Sequence, residues 1–107
     1  MKTIYKYETP LQKRFILLLP KNARVLTVQT QVVEVEGLYD KQERPFIWAI
    51  IDTKEPLLGR EFSMIGTGHD LETYATQEKY IGTFQIKKYG FVFHVFGKEG
   101  IKYGNDS

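Results

Sequence analysis

The most regular stretch of the chain is residues 91–96, Phe-Val-Phe-His-Val-Phe, where Phe91, Phe93 and Val95 fall on one alternating face and Val92, His94 and Phe96 on the other. Period-two spacing with this density of aromatic and β-branched residues predicts a strand. Residues 46–51, Phe-Ile-Trp-Ala-Ile-Ile, are apolar on both faces. A strand of that kind belongs in the middle of a sheet. Residues 14–19 form a third apolar run, ended by Pro20, and read as a buried strand. Residues 60–65 alternate cleanly, Phe62 and Met64 against Glu61 and Ser63. Residues 2–7 mix Thr, Ile and Tyr with lysine, as a strand with one wet face does. Residues 25–35 read as one long strand with a bend or bulge near Gln31, and residues 80–86 as another strand.

The segments between them carry turn chemistry. Thr9-Pro10 breaks the first strand. Pro20-Lys21-Asn22-Ala23 predicts a turn in which proline presets φ and asparagine tolerates left-handed geometry. Residues 37–44 read as an exposed loop or hairpin tip, residues 52–59 as a turn region, Gly66-Thr67-Gly68 as a strand stop and Lys87-Lys88-Tyr89-Gly90 as a hairpin turn. Residues 70–79 are the one helical candidate: Asp70 could cap, and Leu71, Tyr74, Ala75 and Glu78 have helical spacing. The stretch is short enough for a helical turn or an irregular loop. The expected fold is all-β with at most one short helix, about seven strands in a small sandwich or partly open barrel. A single domain spans 1–107, with 97–107 as a loosely ordered tail.

Composition narrows the chemistry. The chain of 107 residues has no cysteine, which excludes disulfide staples, iron–sulfur ligation and thiolate zinc. The apolar run at 14–19 is shorter than a signal h-region or a membrane span, so the expectation is a cytoplasmic protein without membrane contact. Charge is uneven: Lys2, Lys6, Lys13, Arg14, Lys21 and Arg24 face only Glu8 in the first 24 positions. Such an N-terminal face could contact nucleic-acid phosphates, although lysines also guard edge strands.

Candidate chemistry is sparse. With only His69 and His94, and no paired histidine motif, neither a metal site nor a cofactor is expected. His94 is expected in or beside the core with one ring nitrogen bonded. The two serines lack a nucleophile elbow, and Glu34 and Glu36 share a strand face as solvated glutamates do. No catalytic residue is assigned. Gly66, Thr67, Gly68 and His69 are the first candidates for a small-ligand or nucleotide site, since a glycine-bracketed turn can converge backbone N–H groups on an anion. The same glycines also suit a plain tight turn. Of the seven tyrosines, Tyr39 and Tyr89 sit in polar turns and are the candidates for partner contact.

Several stretches together resemble a known family. They are Lys2 through Tyr7, Leu19 through Gln29, Trp48-Ala49, Ile65 through His69, Tyr80 through Phe84 and Phe91 through Phe96. The chain is similar in this order of motifs to a small uncharacterised domain family common in bacteriophage and prophage genomes. The resemblance covers about residues 2–96 and implies a compact β domain of phage origin, with no activity or catalytic residue to transfer. Residues 30–44 look longer than the family pattern. The resulting expectation is a non-catalytic binding protein acting on a host protein, through a sheet edge or the tyrosine-bearing loops. A small-ligand binder, a nucleic-acid binder, a virion accessory protein and a homo-oligomer are the alternatives.

Overall fold

A computed structural model describes residues 1–37, 39, 41–71 and 78–98. Among them the chain forms β1 (Lys2–Glu8), β2 (Arg14–Pro20), β3 (Arg24–Val33), β4 (Gln42–Asp52), β5 (Leu57–Gly66), β6 (Lys79–Ile86), a 3₁₀ turn (Lys87–Tyr89) and β7 (Phe91–Gly97). The strands make two antiparallel sheets, ordered β1-β4-β3 and β2-β5-β7-β6. The expected all-β class and the sandwich are therefore what the chain adopts.

Alternation explains the core. Ile47, Ala49 and Ile51 of β4 face inward, opposite Phe15 and Leu19 of β2, Phe62 and Met64 of β5, and Val95 of β7. Phe15 and Phe62, register partners across β2 and β5, stack with ring centroids 5.4 Å apart. The doubly apolar run at 46–51 lies in β4, the central strand of its sheet, as its pattern required. Its outward residues, Phe46 and Trp48, lie beneath the Lys6 ammonium, 4.7 and 5.7 Å from the ring centroids.

The two sheets close along one side. Strands β3 and β6 approach so tightly that a Cβ on Gly82 would sit 3.0 Å from Val28 Cγ1 and 3.5 Å from its backbone nitrogen. Thr30 Oγ1 also donates to the Gln85 carbonyl at 3.1 Å. The outermost strands on the other side, β1 and β2, belong to different sheets. The architecture is thus a sandwich sealed at one seam.

Several boundaries differ from the pattern-based expectation. The irregularity in β3 falls between Val25 and Thr27, not near Gln31, and β3 ends at Val33. Glu34 and Glu36 consequently lie beyond the strand and share no strand face. Strand β4 starts at Gln42, inside the expected loop, because its polar residues find partners in neighbouring strands: Arg44 Nη1 bonds Glu8 Oε2 of β1 at 3.1 Å. Strand β5 likewise starts at Leu57. Asn22 has φ 66°, the left-handed geometry expected of that turn, and Gly90 closes the 3₁₀ turn at φ 71°. Most of the helical candidate, residues 72–77, lies outside the described residues, as does the expected tail beyond Lys98; Gly97 itself is buried in β7.

Candidate functional site

Register places four connections at one end of the sandwich: the β1–β2 crossover, the β3–β4 loop, the loop after β5 and the β6–β7 turn. Glu43 Oε1 accepts the Lys88 N–H at 3.0 Å and ties two of them together. Tyr39, in the β3–β4 loop, and Tyr89, in the β6–β7 turn, are both exposed here. Tyr89 stacks on Phe91, with ring centroids 5.5 Å apart.

The loop Gly66-Thr67-Gly68-His69 is split by strand alternation. The Thr67 N–H bonds the Val92 carbonyl at 3.0 Å, which carries the β5–β7 ladder one residue beyond Gly66. Thr67 therefore projects to the outer face of the sheet and Gly66 to the inner one. On the inner side, Gly66 and His69 join Leu11, Lys13, Met64, Asp70 and Phe93 around a cavity of about 200 Å³. The His69 ring lies against Gly66, where a Cβ would come within 3.0 Å of Nδ1. Thr67 and Gly68 do not line this cavity.

On the outer face, Thr67 Oγ1 lies 2.7 Å from His94 Nε2, and Thr83 Oγ1 lies 2.9 Å from His94 Nδ1. Tyr80 OH then meets Thr83 Oγ1 at 2.5 Å. Both ring nitrogens of His94 are engaged, where the sequence suggested one. A neutral imidazole has one donor and one acceptor nitrogen, so one threonine donates to the ring and the other accepts from it. The chain fixes the ring's orientation. Nearby, Ser63 Oγ, fully buried although it faces outward, bonds Glu78 Oε1 at 2.8 Å. His69 and His94 lie on opposite faces of the sheet, and among the described residues no cluster of three metal-ligating side chains forms.

The basic N-terminal residues do not share one face. Lys2 and Lys6 lie on the outer face of the β1-β4-β3 sheet, whereas Lys13 and Arg14 enter the other sheet. The Lys6 ammonium also donates to Gln31 Oε1, beside the two aromatic rings beneath it. Among the described residues, the buried polar side-chain atoms without a partner are Thr9 Oγ1 and Trp48 Nε1.

The remaining feature is strand β2. Within the described residues its only sheet neighbour is β5. The Met64 N–H bonds the Lys13 carbonyl at 2.8 Å, which sets the phase of that ladder. Phe15, Leu17 and Leu19 then exchange hydrogen bonds with β5, and the N–H and C=O groups of Ile16 and Leu18 point away from it. The side chains of Ile16 and Leu18 are 64% and 61% exposed, and the neighbouring Leu57 is 60% exposed. Gly59 makes room for Ile16 by carrying no side chain, since a Cβ there would lie 3.2 Å from Ile16 Cγ2. The sequence pattern found the strand but not its position at a sheet edge.

Fold and surface together define a small all-β sandwich domain with an apolar edge and one loop-rich end. The chain belongs to a family described as Domain of unknown function (DUF7352), which it matches over residues 1–103. No curated protein and no solved structure matches it. No helix among the described residues is long and apolar enough to cross a membrane.

Proposed function

We propose that this is a non-catalytic binding domain that takes an extended segment of a partner protein onto the edge of β2. The observation that carries this reading is the contrast between β2 and the other three sheet edges. Strands β3 and β6 cover each other. Strand β1 carries Lys2, Lys6 and Glu8 along its length. These are ordinary protections against edge-to-edge pairing. Strand β2 has none between Phe15 and Leu19, while Lys13, Arg14, Pro20 and Lys21 bracket it. Flanking an apolar strand with charge and proline limits indiscriminate aggregation while leaving the edge itself usable. An added strand would satisfy the outward backbone groups of Ile16 and Leu18, and their side chains with Leu57 would supply an apolar pocket for alternate residues. A host protein as the partner, and a phage setting for the domain, belong to the same proposal.

Leu18→Lys tests it. The position is exposed, so the variant folds. A host protein retained by the native domain and by a Val32→Lys control, but lost from Leu18→Lys, supports the reading. Retention by all three, or by none, overturns it.

A further inference from the structure

We infer that the cavity beside Gly66 is a binding site for a small α-amino acid with an apolar side chain. This inference stands apart from the β2 edge and does not depend on it. Size is the first argument. An apolar cavity of about 150 Å³ takes a benzene ring; this one, at about 200 Å³, holds one ring or a branched aliphatic group and not a nucleoside with its phosphates. Lining is the second. Met64 is buried, Phe93 is half-buried, and with Leu11 they give the cavity an apolar floor. Exposed Lys13, His69 and Asp70 bring both signs of charge to the same cavity. A ligand with an apolar body and a single charge would answer only one of the two. An α-amino acid answers both, its carboxylate toward Lys13 and its ammonium toward Asp70. His69 adds a hydrogen-bonding ring. The head group stays near water, so neither charge is deeply desolvated.

The walls are also held in place before any ligand arrives. The Met64 N–H fastens the Lys13 carbonyl at 2.8 Å, and the His69 N–H closes a turn onto the Gly66 carbonyl at 3.1 Å. A Cβ at position 66 would lie 3.0 Å from His69 Nδ1, so any residue other than glycine would push that ring aside by a few tenths of an ångström. Preorganised walls reduce the ordering a ligand must impose.

The test is an NMR titration of the intact domain with L-phenylalanine, phenylacetate and phenethylamine, following the Met64 ε-methyl and the His69 ring. L-Phenylalanine should shift both signals and bind about tenfold more tightly than either singly charged analogue, a difference of about 1.4 kcal/mol. No shift at Met64, or equal affinity for all three, overturns the assignment. Lys13→Met, at an exposed position, should erase the preference for L-phenylalanine over phenethylamine; an unchanged preference overturns the head-group placement. Gly66→Ala should displace the His69 ring and weaken all three ligands in a domain that remains folded by circular dichroism, and unaltered affinity would contradict the site.

Discussion

Adding one methyl group at Gly97 should destabilise the domain by about 1–3 kcal/mol, the usual range for overpacking a well-filled core. Gly97 ends β7 opposite Phe62. A Cβ there would lie 2.8 Å from Phe62 Cδ2, 2.9 Å from Phe62 Cε2 and 2.8 Å from Ile81 Cδ1. Carbon atoms prefer separations of about 3.5–4.0 Å, so each contact is short by roughly 0.6 Å or more. Ile81 can turn its terminal methyl. Phe62 cannot move as easily: it is 1% exposed and stacked on Phe15. Urea unfolding of Gly97→Ala should show a lower midpoint with an unchanged slope, because the surface exposed on unfolding is the same. In a thermal scan the loss corresponds to roughly 4–8 °C per kcal/mol for a domain near this size. Shortening the ring with Phe62→Leu should relieve part of the clash, so the double variant should be more stable than the two single losses added together. A Gly97→Ala protein as stable as the native one, or strictly additive losses, would refute the packing of β7 on β5 described above.

Asn22→Ala should cost about 1 kcal/mol, because alanine resists the φ of 66° that asparagine holds in the β2–β3 turn, whereas Asn22→Gly should not; chemical denaturation distinguishes them. Burial, then the neighbouring Tyr5 phenol, raises the Tyr7 hydroxyl above its ordinary value of 10.0. The folded state thus holds that proton more tightly than the unfolded chain. Its contribution is fully present below pH 10.0 and lost as the pH rises through the folded value, a loss that Tyr7→Phe should lack in alkaline unfolding curves. Asp52 shifts the other way: the Lys54 N–H bond first, then the amino terminus and Lys2, lower its carboxyl below 3.8. Its contribution is present above that value and disappears as the pH falls through the folded one, so Asp52→Asn should flatten the acid limb of the stability profile.

Much of the fold was legible because alternation is a local property. Residues 91–96 and 46–51 announced their strands, and Asn22 and Gly90 announced their turns. What was not legible depends on which strand lies beside which. Gln42-Glu43-Arg44 reads as a loop until Glu8 and Gln31 are set opposite Arg44 and its neighbours in the sheet. Gly82, inside the strand read at 80–86, shows no packing role until Val28 of the other sheet lies against it. The candidate loop was located in the sequence, but its division was not. One extra rung, Thr67 to Val92, sends Thr67 toward His94 and leaves Gly66 on the cavity side. The apolar run at 14–19 predicted a buried strand, and only the sheet order shows that it is an edge.

The central claim is that β2 is an open edge made for a partner strand, and backbone amide exchange reads it directly. In the isolated domain the amides of Phe15, Leu17 and Leu19 should be protected and those of Ile16 and Leu18 should exchange quickly. In the complex with a host protein that the native domain retains and Leu18→Lys does not, the Ile16 and Leu18 amides should become protected. Slow exchange of these two amides in the isolated domain, or protection on binding that appears elsewhere and leaves them fast, would contradict the account.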